Sequence, residues 1–165
     1  MPARNLLGEE GKGFNYAMEI LNSSRIIIAA QSVGIGQAAL ESAVRYAQQR
    51  ETFGKPIAQH QAIQFMLADM ATEVHAARVA TMHSATLKDQ GLPFLMEASM
   101  AKLLASEMCI NVSSKAIQAH GGIGYFQETG VERIFRDARV TTIYEGTSEV
   151  QRLLIARQLM SQYPL

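Results

Sequence analysis

Residues 94–120 read FLMEASMAKLLASEMCINVSSKAIQAH, and their pattern decides the fold. Ala98, Ala101, Ala105, Met108, Val112 and Ile117 fall along one side at helical spacing, and the run stops at Gly121-Gly122, which predicts one long helix. Upstream, residues 59–88 repeat the pattern with Ile63, Leu67, Met70, Val74 and Ala77, ending at Gln90-Gly91 before Pro93. Residues 14–48 predict an unusually long helix with Ala17, Ile20, Leu21, Ile28, Ile35, Ala39, Ala43 and Ala47 as core positions. Downstream, shorter helices are predicted over 129–139 and 147–161. No run of alternating β-branched residues is present and Trp is absent. The fold class is therefore all-α: an antiparallel four-helix bundle with a short additional helix. Small residues at many core positions let the helices approach closely.

A chain of 165 residues holds one domain with a genuine core, predicted over residues 14–165. Residues 1–13, MPARNLLGEEGKG, carry three glycines and a proline and read as a connector, the tail of something larger. Fifteen Lys and Arg balance 15 Asp and Glu without a block of like charge, which disfavours nucleic acid and anionic membranes as partners. The apolar stretch from Ile26 to Gly36 is interrupted by Gln31 and Ser32 and is too short for membrane insertion. A hydrophobic share of 48% is high for amphipathic helices, so an apolar face is expected to meet another subunit or domain. The one cysteine, Cys109, lies in an apolar helical run, and the opening MPARN has no apolar signal segment; a reducing cytosol or organelle matrix fits.

The candidate site centres on residues 143–152, IYEGTSEVQR. Thr147 or Ser148 can cap a helix whose apolar spacing starts at Val150, Leu153 and Leu154, so Glu145 sits on the approach turn. Gly146 permits close backbone approach to a ligand, and the free N–H groups of the first helical turn suit a phosphate or an oxyanion. The pattern is a base beside an anion cradle, or else an ordinary solvated loop glutamate before an ordinary cap.

Three other constellations stand out. Asn22-Ser23-Ser24-Arg25 precedes the most apolar stretch of the first helix; a buried Arg25 needs a carboxylate, phosphate or carbonyl partner, whereas an exposed one snorkels or pairs with Glu19. In the turn Arg50-Glu51-Thr52-Phe53-Gly54-Lys55-Pro56, two cations and a hydroxyl suit a phosphate; alternatively Arg50 neutralises a helix C-terminus and Phe53 staples the turn to the core. The glycine cluster in Gln118-Ala119-His120-Gly121-Gly122-Ile123-Gly124-Tyr125 follows a helix and lacks a Lys-Ser/Thr pair, so it is neither a P-loop nor a Rossmann turn. Its glycines admit a planar or phosphorylated ligand or form a helix C-cap. His60, His75, His83 and His120 lack metal-ligand spacing, so no metal is expected. Arg133, Arg136 and Arg139 with Glu132 and Asp137 read as a solvated, ion-paired helix face.

Taken together, PARNLLGEEGKGF, QRETFGKPI, HQAIQFMLADMA, QAHGGIGY, ERIFRDAR and IYEGTSEVQRLLIAR resemble the acyl-CoA dehydrogenase family over essentially the whole chain. The resemblance is to the C-terminal third of such enzymes. It implies that residues 1–13 lead out of a middle β domain. It further implies an FAD enzyme that dehydrogenates an acyl-CoA thioester between Cα and Cβ: a base takes the α-proton, a hydride passes to flavin N5, and electrons go on to an electron-transferring flavoprotein. By motif, Glu145 matches the base, with Asn22, Ser24, Arg25, Tyr144 and Gly146 around the substrate. Thr147, Ser148 and Glu149 match contacts to FAD in the same active site. Arg50, Thr52, His60 and Gln61 match residues that reach the flavin nucleotide of a neighbouring subunit, and Gln118, Ala119, His120, Gly121 and Gly122 match the adenosine-side loop. Some branched-chain and long-chain members carry the base just before the matching arginine; here that position is Ser24, which favours Glu145 as sole base and a short-chain or short-branched type.

The resemblance also implies a homotetramer in the full enzyme, placed in the cytoplasm of a bacterium or the mitochondrial matrix of a eukaryote, with the isolated chain inactive. Two competing readings are a non-enzymatic helical oligomerisation module that keeps family residues without flavin, and an acyl-CoA oxidase sharing the same base.

Overall fold

A computed structural model describes residues 2–163. Five α-helices account for most of them: α1 Gly13–Gln49, α2 Gln61–Asp89, α3 Leu95–His120, α4 Val131–Val140 and α5 Ser148–Gln162. The boundaries fall within two residues of those predicted. α1 and α3 share the most extensive interface, α2 packs on both, and α4 and α5 lie against α3. Short connections make successive long helices antiparallel, which gives the all-α bundle.

Alanine builds the central seam. Ala29, Ala39 and Ala43 of α1, Ala77 of α2 and Ala101, Ala105 and Ala116 of α3 are fully buried, with Val33, Met70, Val74, Met108 and Val112 filling the space between them. Short side chains bring the helix backbones together, and dispersion between many close atoms replaces the burial of a few large groups. By length and a mean hydropathy of 1.2, α1 would also suffice to cross a membrane. Its buried apolar residues, among them Ala29, Val33, Ala39 and Ala43, form the core strip of the bundle.

The sequence reading needs correction at several places. Ala17 and Ile20 are exposed, as is most of the start of α1, where no residue before Arg25 is buried. Phe53 is 97% exposed and does not staple its turn to the core. That turn is a minimal antiparallel ladder, Glu51–Thr52 with Lys55–Pro56, which two-residue strands cannot announce by alternation. Phe53 and Gly54 both have positive φ, 51° and 78°, as a type I′ hairpin turn demands.

The helices leave extended apolar faces uncovered. Phe14, Ile20 and Ile27 on α1, Phe65, Val79 and Met82 on α2, and Leu153, Leu159 and Met160 on α5 are exposed. In α5 only Ser148 and Gln151 are buried, so Val150 and Leu153, predicted as its apolar side, face outward.

Cys109 is fully buried, its Sγ 3.3 Å from Thr141 Oγ1, and burial pushes the thiol pKa up. A protonated, enclosed thiol is a poor nucleophile. The native chain is expected to resist a neutral aromatic disulfide reagent at pH 7 and to release one thiol on unfolding in guanidinium. Stoichiometric labelling of the native chain within minutes would contradict this burial.

Candidate active site

Between α4 and α5 the chain reverses through Glu145 and Gly146, with φ of 55° and 90°. A non-glycine residue in the left-handed region costs on the order of 1 kcal/mol, and such strain persists only where the surroundings over-determine it. Here they do. The Gly146 carbonyl accepts from Lys102 Nζ at 2.8 Å and from Gln151 Nε2 at 2.9 Å. A Cβ on Gly146 would lie 2.7 Å from Gln151 Nε2, so the close approach that this glycine permits is to Gln151. Thr147 is the N-cap of α5, its Oγ1 accepting from the Val150 N–H at 3.4 Å, and the Ser148 N–H donates to Thr142 O at 3.0 Å.

This reversal turns the Glu145 side chain toward α1. Ser24 Oγ donates to Glu145 Oε2 at 2.5 Å, across 121 residues of sequence. The next residue, Arg25, is buried rather than snorkelling; its Nη1 donates to Asn22 Oδ1 at 2.8 Å, while its Nε is buried without a protein partner. Burial lowers the Arg25 pKa, and the Glu145 carboxylate offsets part of that shift. Tyr144 Oη donates to Gln31 Oε1 at 2.6 Å, which ties the loop to α1 one residue ahead of Glu145. The fold brings Asn22, Ser24, Arg25, Tyr144, Glu145 and Gly146, named together from the sequence, to the same end of α1.

Lys102 and Gln151 were missed. Lys102 occupies a core position of α3, four residues after Ala98 and three before Ala105, and is fully buried. A lysine on the apolar stripe was the legible signal. Burial lowers its pKa, while Glu145 first and then Glu149 favour its charged form and Arg25 opposes it. Gln151 is likewise fully buried, in the first turn of α5.

Thr147, Ser148 and Glu149 border a cleft of about 300 Å³ with Glu107, Arg139 and Thr142. The Ser148 Oγ is buried without a protein partner, and backbone and Thr147 hydrogen bonds at the helix start hold the Glu149 carboxyl below its ordinary pKa. The remaining predicted residues form a separate site at the far end of α1. Tyr46, Arg50, Thr52, Gln118, Ala119, His120, Gly121 and Gly122 line a cleft of about 340 Å³. Thr52 Oγ1 lies 3.0 Å from His60 Nε2, and Gln61 begins α2 beside it. His120 stacks on Tyr46 with ring centroids 4.3 Å apart, and its Nδ1 donates to Ala116 O at 2.8 Å. At ~1.5 Å per residue, α1 separates Arg25 from Gln49 by about 36 Å, so one chain does not bring the two sites together. On α4, Arg136 pairs with Glu132 at 2.6 Å and Arg133 with Asp137 at 3.7 Å as an exposed face.

Residues 11–160 match the model of the acyl-CoA dehydrogenase C-terminal domain. The chain is 54% identical over 160 residues to the probable acyl-CoA dehydrogenase YngJ of Bacillus subtilis (strain 168), covering 97% of this chain and 42% of that protein. It is 53% identical over 163 residues to the mitochondrial short-chain specific acyl-CoA dehydrogenase of Rattus norvegicus, covering 99% and 40% respectively. The solved butyryl-CoA dehydrogenase of Megasphaera elsdenii superposes with a TM-score of 0.94 at 48% identity, over 97% of this chain and 42% of that one. The chain thus spans about two fifths of the length of the relatives it matches. With the helical bundle, the matched span and the identity to these relatives all in agreement, this chain belongs to the acyl-CoA dehydrogenase family and carries its C-terminal domain.

Proposed function

We propose that this chain is the C-terminal part of an FAD-dependent acyl-CoA dehydrogenase in which Glu145 removes the α-proton of a short acyl-CoA thioester. The observation that carries the reading is the Glu145 carboxylate, held on a left-handed turn against Ser24 Oγ at 2.5 Å beside the buried Arg25. A carbon-bound α-proton is transferred only when the base is strengthened and the carbon acid made more acidic. Expelling water from around a carboxylate makes it a stronger base, and hydrogen bonds to the thioester carbonyl, including one from the Glu145 backbone N–H, stabilise the charge that develops on oxygen. Ser24 holds the carboxylate in place until substrate arrives. Arg25, with its unpartnered buried Nε, supplies a cation and a spare donor at the same wall.

The residues present fit a flavin nucleotide. Ser148 Oγ is a buried hydroxyl without a protein partner at a helix start, and the distal cleft combines Arg50, Thr52 and the glycine turn at Gly121-Gly122. Thr147, Ser148 and Glu149 would hold FAD within the active site of their own copy. Arg50, Thr52, His60, Gln61 and Gln118 to Gly122 would reach the FAD of a neighbouring copy, a reading supported by the roughly 36 Å that α1 puts between Arg25 and Gln49. Bound FAD supplies the two-electron acceptor for the hydrogen leaving Cβ. An electron-transferring flavoprotein then takes the electrons, and the exposed apolar faces of α1, α2 and α5 are covered by the rest of the polypeptide and by other copies in a homotetramer. The enzyme works in the bacterial cytoplasm or the mitochondrial matrix according to its host.

Sharing of sites between copies has a direct test in the complete polypeptide that carries this chain. Glu145→Gln and Arg50→Ala/Thr52→Ala variants, each nearly inactive, are dissociated, mixed and reassembled. A hybrid pair has one site with both halves intact, so activity should return to a substantial fraction of wild type. No recovery from verified hybrids would overturn the shared-site arrangement.

A further inference from the structure

The base loop is held by a residue that the reaction itself does not need. On α3 the buried hydroxyls of Ser99, Ser106 and Ser113 all donate to carbonyls of their own helix: Leu95 O, Leu103 O and Cys109 O. Lys102 does the opposite. Its side chain leaves the helix and donates from Nζ to Gly146 O at 2.8 Å, across 44 residues of sequence, with no part of the residue exposed. A fully buried ammonium is a costly way to fill core volume, since an apolar side chain of similar size would do so without desolvating a charge. Its partner is the peptide carbonyl directly after Glu145, at a residue whose φ of 90° follows the 55° of Glu145.

We propose that Lys102 is a positioning residue for catalysis, locking the Glu145–Gly146 turn by a charge-assisted hydrogen bond so that the carboxylate faces the thioester. The proposal rests on the reading of Glu145 as the base. The loop is gripped from two sides. Ser24 of α1 holds the side chain of Glu145, and Lys102 of α3 holds the peptide that follows it. Gln151 of α5 gives Gly146 O a second donor, so both lone pairs of that carbonyl are engaged and the peptide plane cannot rotate without breaking both bonds. Because α1 and α3 form the main interface of the bundle, the rigidity of the core passes directly to the base. Loss of Lys102 leaves the carboxylate in the site with its orientation released, and a small misplacement of a catalytic group is enough to lower the rate.

The test uses the complete flavin-loaded polypeptide with Lys102→Met, which keeps the volume and removes the donor, and Lys102→Arg, which keeps both charge and donor. Amide hydrogen exchange at residues 145–148 should accelerate on the order of tenfold or more in the methionine variant, the consequence of losing one charge-assisted hydrogen bond, while the core amides of α3 stay protected. The rate of flavin reduction at saturating acyl-CoA should fall by a similar factor with KM within about twofold, and arginine should restore part of both. Unchanged exchange at residues 145–148 overturns the proposal whatever the kinetics show. Faster exchange together with full activity in Glu145→Gln would instead leave the lock standing and sink the base. Should the methionine variant fail to fold, the wild-type chain still decides: the Lys102 ammonium should give a slowly exchanging nitrogen-bound proton signal coupled to the Gly146 carbonyl. An ammonium exchanging at the rate of a surface lysine would refute the lock.

Discussion

Replacing Glu145 with glutamine in the complete polypeptide is expected to slow reduction of the flavin by acyl-CoA by about 10²–10⁴-fold, the range contributed by a positioned general base. Glutamine keeps the length and shape of the side chain and can still accept the Ser24 hydroxyl, so the turn at Glu145 and Gly146 should survive. Flavin content and thermal stability should accordingly remain near wild type. What disappears is the capacity to take a proton from carbon. Stopped-flow absorbance of the flavin band checks this, and a loss smaller than tenfold would mean that another group serves as base. Ser24 marks where such a group would have to stand. The structure puts this α1 residue in contact with Glu145 despite their separation in sequence, so a carboxylate at that position would reach the same space.

The second large effect concerns the core. Met70 is the largest apolar side chain among those fully buried, and it sits where α2 meets a seam built mostly from alanines and valines. Truncation to alanine is expected to cost about 2–5 kcal/mol of stability, toward the upper part of that range. The size follows from the neighbours. Alanine-lined helices are already in close approach, so the backbones cannot settle further into the space left behind, and the cavity remains. Guanidinium unfolding followed by circular dichroism measures the loss, and a value below about 1 kcal/mol would show that the seam relaxes around the hole.

Much of the bundle was legible because the long helices carry strong periodicity and are punctuated by clear stops at Gly91 and Gly121. What could not be read was which periodic residues lie beyond the reach of a neighbour. Ala17 and Ile20 continue the apolar rhythm of α1, yet they are exposed, since burial along this helix begins only at Arg25. The hairpin at Glu51 to Pro56 escaped for a different reason, since its hydrogen bonds are set by the φ values of Phe53 and Gly54 and not by any alternation. At the site, Glu145, Gly146 and the cap at Thr147 were visible as a local pattern. The contact with Ser24 was accessible only through family resemblance, because residues so distant in sequence carry no shared periodicity. Lys102 was on view as a cation on an apolar stripe, but its purpose depends on a carbonyl supplied by a distant loop. Long-range hydrogen bonds of this kind belong to tertiary structure alone.

The reading of Glu145 as the base is tested most directly by separating proton removal from oxidation. Acetyl-CoA has α-hydrogens but no Cβ, so it can exchange with solvent without being dehydrogenated. In D₂O, the flavin-loaded polypeptide should wash deuterium into the acetyl methyl group, as followed by proton NMR, and Glu145→Gln should reduce that exchange to the background rate. Equal exchange by the two proteins would contradict the account.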